Sequence, residues 1–159
     1  MHWMTGIRAN ESGNRVTQEN VLDSSFMEEY VLYMMARASQ QMSAEFHAII
    51  RSRGLRVPEW RILATLASYE PQSVTQLGEK TLYDQPRLTK TIDKMKLAGL
   101  VRRKRHDRDR RMVQVTMTEQ GREVAAGLIA LAREHELRAL DALTPMERKH
   151  LKRIMRKLM

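Results

Sequence analysis

Residues 73 to 121 constrain this chain more than any other stretch. They read SVTQLGEKTLYDQPRLTKTIDKMKLAGLVRRKRHDRDRRMVQVTMTEQG. Ser73 and Gln76 have the spacing of a capping box, in which each side chain satisfies the other's free backbone donor. They open a short helix to about Lys80, with Leu77 inward. Leu82-Tyr83 is a turn. Asp84 caps the next helix, and Pro86 is tolerated in a first turn, where its missing N–H would have had no partner. Leu88, Ile92 and Met95 share one face of this helix, and Gly99 stops it. Leu100 to Arg105 and Met112 to Met117 alternate as strands do, with Val113 and Val115 on one face. The connection from His106 to Arg111 is entirely charged and reads as a solvated hairpin tip.

Long helices flank this stretch. Phe26, Tyr30, Met34, Ala38, Met42, Phe46 and Ile49 or Ile50 recur at helical spacing from about Ser24 to Arg53, and Gly54 terminates the run. Its first half, YVLYMMA, is apolar on every side, so it needs burial on every side. Either a second subunit or a deep intramolecular core would supply it. Pro58 opens the next helix, with Trp60, Leu63, Leu66 and Ala67 as the inner stripe, until Tyr69-Glu70-Pro71-Gln72 breaks it. Thr118 and Gly121 begin another helix that runs to about Ala142, with Val124, Leu128, Leu131 and Leu140 as apolar positions. Thr144-Pro145-Met146-Glu147 starts a final helix carrying Leu151, Ile154, Met155 and Leu158. Residues 1–23 are polar and aperiodic and read as a flexible tail. The expected fold class is mainly α with a small β-hairpin wing. A winged helix-turn-helix lobe, residues 58–118, lies between long N- and C-terminal helices.

Charge points to the partner. The chain of 159 residues carries 28 Lys+Arg against 19 Asp+Glu, a formal net charge of +9. Such a balance favours a polyanion, because neutralising phosphates releases condensed counterions. On the helix after Asp84, the side opposite Leu88, Ile92 and Met95 presents Gln85, Pro86, Arg87, Thr89 and Lys90. Arg pairs bidentately with guanine, Gln with adenine, and Thr meets a thymine methyl or a phosphate. The alternative is an ordinary solvated helix face. Arg102, Arg103, Lys104, Arg105, Arg108, Arg110 and Arg111 then crowd the hairpin against only Asp107 and Asp109. A hairpin is rigid enough to hold an arginine in a narrow minor groove, and an adjacent Asp can orient its guanidinium through a bidentate pair.

Other function classes find little here. Cysteine is absent, which excludes structural disulfides, thiolate metal sites and thiol redox sensing. The five histidines show no metal-ligand spacing, so no metal or cofactor is expected. There is no glycine-rich phosphate loop and no nucleophile elbow, and the loop aspartates sit among arginines, so an enzyme is not expected. No apolar run approaches the roughly 20 residues that span a bilayer, and the start lacks the basic-then-apolar order of a secretory signal. A cytoplasmic protein without membrane association is expected. Two non-enzymatic alternatives stay open. One is a winged-helix interaction module without specific DNA binding. The other is membrane-surface binding by the basic final helix.

The run from Trp60 to Gly121 resembles the MarR (multiple antibiotic resistance regulator) family of winged-helix regulators. The residues that carry the likeness are Asp109-Arg110-Arg111, then MVQVTMT, then Gly121, preceded by Ala98-Gly99-Leu100-Val101. Met117 stands where the family usually has Leu. The upstream Pro-Glu-Trp-Arg-Ile-Leu fits the start of the family's second helix. The resemblance covers about residues 25 to 158. It implies a single domain over residues 24–159 and a homodimer built through helices in 24–54 and 119–159. It places Arg111 at the wing tip in a minor groove and makes Asp109 the residue that orients it. Double-stranded DNA with an inverted-repeat operator is the implied partner. The family's small polar residues at the start of the recognition helix are replaced in part by Pro86 and Arg87, so the operator sequence does not carry over.

Proteins similar to this one often release DNA when a small, commonly aromatic and anionic molecule enters a crevice beside the DNA-binding lobe. The resemblance therefore implies a repressor relieved by an effector. Phe46, His47, Arg51 and Trp60 are the candidate pocket, an aromatic wall with a cation. Phe46 and Trp60 also fit plain core positions, and His47 also fits an ordinary hydrogen-bonded helix residue.

Overall fold

The computed structural model describes residues 26–105 and 113–159, which fall into two units divided between residues 40 and 41. In the first unit, α1 (Phe26–Glu29) leads into α2 (Val31–Ser52), which continues into the second. The Tyr30 N–H donates to the Phe26 carbonyl at 2.8 Å, and the Tyr30 carbonyl accepts from the Met34 N–H at 3.0 Å. Helical hydrogen bonding thus runs through Tyr30, as the long periodicity anticipates. Phe26 and Tyr30 stack with ring centroids 5.1 Å apart. Phe26, Met27, Tyr30, Val31, Leu32, Tyr33 and Met34 are all exposed.

The second unit holds the rest: the end of α2, then α3 (Val57–Tyr69), β1 (Gln72–Ser73), α4 (Val74–Thr81), α5 (Gln85–Leu97), β2 (Val101–Arg105), β3 (Val113–Met117), α6 (Glu119–Ala139) and α7 (Pro145–Leu158). Helix ends follow the local signals. Gly54 and Gly99 have φ of 74° and 70°. At each, paired bonds close the last turn: Leu55 N to Ile50 O and Gly54 N to Arg51 O, Leu100 N to Met95 O and Gly99 N to Lys96 O. This left-handed glycine closure satisfies carbonyls that the helix leaves free. At the starts, Ser73 and Gln76 exchange bonds of 2.8 and 3.2 Å, and Asp84 Oδ1 accepts from Arg87 N at 2.8 Å.

Three details depart from the sequence reading. The sheet has three strands in the order β1-β3-β2, both pairings antiparallel, with Gln72 opposite Val115 and Arg103 opposite Val115 on the other side. Strand β1 was not anticipated, because two residues carry no periodicity. On α3 the buried stripe is Ile62, Leu63 and Leu66, whereas Ala67 is exposed and Trp60 half-buried. Helix α6 ends at Ala139 rather than near Ala142, where Asp141 N to Arg138 O and Leu143 N to Leu140 O turn the chain toward α7.

The core joins helices and sheet. Ile62, Leu63, Leu66, Leu77, Leu88, Ile92, Met95, Leu100, Val101, Val115, Met117 and Ala125 form one buried cluster. Three of these, Leu88, Ile92 and Met95, belong to α5, so that helix is anchored along its inner face and cannot rotate without opening the core. Glu70 ties the sheet to the helices: its carboxylate accepts from Met117 N at 2.5 Å and pairs with Arg122. The final helix α7 has no buried residue, and Met146, Ile154 and Leu158 face outward.

Candidate nucleic-acid interface

Burial of one face of α5 leaves the other face free. Gln85, Pro86, Arg87, Thr89 and Lys90 are exposed, on the first turns of a helix of 13 residues. Three contacts hold this end in place. Asp84 caps it. Gln85 Nε2 donates to Thr75 Oγ1 on α4 at 3.1 Å. The Arg87 guanidinium lies over the Tyr83 ring, 4.5 Å from the centroid, with Arg61 over the same ring at 5.4 Å. Its contact with the ring limits where Arg87 can reach.

The wing strand is tied to this helix. Arg103 on β2 pairs with Asp93 on α5 at 2.8 Å, and Arg102 Nε donates to Thr116 Oγ1 on β3 at 3.2 Å. The first pair was not foreseen, because nothing local in the sequence brings positions 93 and 103 together. At the backbone, Arg105 pairs with Val113 at the end of the hairpin ladder. Arg108, Asp109, Arg110 and Arg111 lie outside the described residues.

A cleft of about 470 Å³ opens on the other flank of α5, where its wall meets the end of α2 and the start of α3. Arg51, Arg56, Arg87, Lys90 and Lys94 line it, with Glu59 as its only acid among the described residues. Glu59 Oε2 accepts from Arg56 N at 2.8 Å, the reciprocal bond of a helix start. Arg51 thus stands beside Arg87 as well as near His47.

The remaining candidates separate by burial. Phe46 is buried, its ring 5.3 Å from Trp60 in an edge-to-face arrangement and 5.4 Å from His135. His135 was not singled out from sequence, although Leu128, Leu131 and His135 follow one another at helical steps along α6. Its Nε2 is 3.7 Å from Glu45 Oε2, and Arg138 reaches the same carboxylate at 3.5 Å. His47 is half-buried. Burial first, then the charges of Arg61 and Arg51, lower its pKa below the ordinary imidazole value.

The chain is similar to known transcriptional regulators. The profile of the MarR family matches residues 53–112. A MarR family transcriptional regulator from Silicibacter pomeroyi DSS-3 is 41% identical, with 84% of this chain and 95% of that one aligned at a TM-score of 0.74. BpsR of Bordetella bronchiseptica, whose DNA binding is regulated by 6-hydroxynicotinic acid, is 26% identical. The match covers 86% of this chain and 95% of BpsR at a TM-score of 0.74. The transcriptional repressor IacR of Pseudomonas putida is 26% identical over 128 residues, 80% of this chain and 77% of that protein.

Proposed function

The chain belongs to the MarR family of transcriptional regulators, and from that premise we propose that it is a sequence-specific repressor acting on double-stranded DNA as a homodimer. The observation that carries this reading is the two-sidedness of α5. Leu88, Ile92 and Met95 lock one face into the core, and Gln85, Arg87, Thr89 and Lys90 stand exposed on the other. In each subunit the first turns of α5 enter a major groove, where Arg87 reads guanine and Gln85 reads adenine. Arg105, Arg108, Arg110 and Arg111 follow the hairpin toward the adjoining minor groove, with Asp109 orienting Arg111. A two-fold dimer spaces its recognition helices about one DNA turn, roughly 34 Å, and so favours an inverted repeat.

The exposed apolar residues support the dimer. From α1 into α2 they are Phe26, Met27, Tyr30, Val31, Leu32 and Met34, and on α7 they are Met146, Ile154 and Leu158. A second copy covers them through helices within 24–54 and 119–159.

The same reading includes an effector, a small aromatic anion held by Phe46, Trp60, His47 and Arg51. The edge-to-face Phe46–Trp60 pair and the regulation of the Bordetella relative by 6-hydroxynicotinic acid support it. Such a ligand releases DNA only if it binds the DNA-incompetent state more tightly.

The test is binding of the purified chain to labelled genomic duplex fragments, including the region around its own gene, at two salt concentrations. Tight, salt-sensitive binding to a fragment with an inverted repeat supports the reading. Weak and equal binding to every fragment overturns it in favour of an interaction module.

A further inference from the structure

We infer that the basic cleft between the start of α3 and the flank of α5 seats backbone phosphates of the DNA strand that borders the groove on the side away from the wing. Arg56 and Lys94 are its distinctive contacts. This rests on the reading that α5 enters a major groove.

Three observations carry it. Among the described residues the cleft gathers five cations against one carboxylate, and that carboxylate is turned toward the Arg56 backbone. Among the described residues, Arg51, Lys90 and Lys94 form no ion pair. So many unneutralised like charges repel one another across the cleft until a polyanion enters. Second, Arg87, Lys90 and Lys94 recur at helical steps along one flank of α5, a stripe about 10 Å long. The opposite flank is already tied to the wing strand through Asp93 and Arg103. Third, a helix with its side chains is about 10–12 Å across and a major groove about 12 Å wide. A helix that fills the groove therefore meets both phosphate walls. The wing takes one wall, and the cleft lies on the side that meets the other.

Arg51 and Arg56 extend the stripe beyond α5, so the contact continues past the bases that α5 reads. Such contacts position a protein and carry no sequence information.

The experiment compares the wild-type chain with Arg56→Ala, Lys94→Ala and the double variant. Binding to the operator fragment and to a scrambled duplex is measured across a salt series. Because the homodimer carries each contact twice, each single variant should weaken both duplexes by a similar factor and lower the salt slope by about 1.8. The double variant, which removes four contacts per dimer, should lower it by about 3.6. The ratio of operator to scrambled affinity should stay at the wild-type value. The charge-conserving Arg56→Lys should keep the wild-type slope, which separates lost charge from lost fold. A double variant with the wild-type slope overturns the inference while leaving the DNA-binding reading intact. A wild-type chain that binds no duplex overturns both. Pyrophosphate, titrated at constant ionic strength, is the last arm. If the wild type binds it tightly, the double variant loses that binding and the duplex slope stays unchanged, the cleft serves a free anion instead.

Discussion

The α-carbon of Gly121 faces the carbonyl oxygen of Leu100 so closely that no Cβ fits between them. Gly121 lies in the first turn of α6, where its N–H donates to Thr118 Oγ1 at 3.0 Å. Leu100 is the residue that leaves α5 and enters the hairpin. Its own carbonyl accepts from Thr118 N at 3.1 Å. The start of α6 is thereby pressed onto the junction between α5 and the hairpin.

Gly121→Ala should therefore destabilise the chain, by about 1–3 kcal/mol, the usual cost of forcing atoms into a packed site. The added methyl meets backbone, which cannot swing aside as a side chain can. Chemical denaturation of the wild type and the variant reads this directly. An unchanged midpoint would show that the α6 start can lift away without cost.

Asp84 holds the exposed end of α5 through its bond to Arg87 N. Asp84→Ala should cost about 1 kcal/mol of stability, as lost N-caps do. It should also weaken operator binding, because the turn that frays carries Gln85 and Arg87. Asp84→Asn keeps the acceptor and should restore most of both. Equal losses for Ala and Asn would place the effect in the charge of Asp84 rather than in its cap.

Much of this architecture was legible because its signals are local. Ser73 with Gln76, Asp84, Gly99 and Thr144 with Glu147 act within one turn of chain, so their positions in sequence are their positions in space. What was missed depends on distant partners. Strand β1 exists only because Gln72 and Ser73 meet β3. Ile62 replaces Ala67 on the inner stripe of α3 because that helix packs against α4, α5 and α6 together, which a single periodic stripe does not encode. The end of α6 escaped notice because Ala139-Leu140-Asp141-Ala142 contains no helix stop. In the candidate interface, the exposed face of α5 was readable from its period, whereas the Asp93–Arg103 pair and the basic cleft required the fold.

That Asp93–Arg103 pair links helix and wing at 2.8 Å with both side chains partly exposed. A double-mutant cycle with Asp93→Ala and Arg103→Ala should show a coupling of about 0.2–1 kcal/mol in stability, the range for such pairs. The effect on DNA should be sharper in one respect. Asp93→Ala leaves Arg103 without its carboxylate, so it should raise affinity for all duplexes at low salt while reducing discrimination between them. Unchanged discrimination would mean that the pair plays no part in aligning the wing.

His47 predicts a pH dependence. Its pKa is lowered by burial and then by Arg61 and Arg51, so the unfolded chain takes up the proton at a higher pH than the folded one. The stability contributed by neutral His47 is present above about pH 6.5, the unfolded value, and is lost as pH falls through the lowered native value. His47→Gln should flatten this loss. Denaturation midpoints at pH 7.5 and pH 5.5 should fall less in the variant than in the wild type. Identical falls in the two proteins would assign the acid sensitivity to other groups.

Arg87 and Arg111 should fail in different ways. Arg87 projects from the first turn of α5, steadied by Tyr83, in a position suited to a base edge. Arg87→Ala should cost about 1–3 kcal/mol on the operator and relax preference at one base position, with a smaller loss on unrelated DNA. A uniform loss across sequences would make Arg87 another phosphate contact of the cleft it lines. Arg111→Ala should cost about 1–3 kcal/mol on the operator, and more where the flanking minor groove is A·T-rich and narrow than where it is G·C-rich. Near-native operator affinity for that variant would remove Arg111 from the wing's reading of the minor groove, leaving α5 and its basic flank as the DNA-contacting surface.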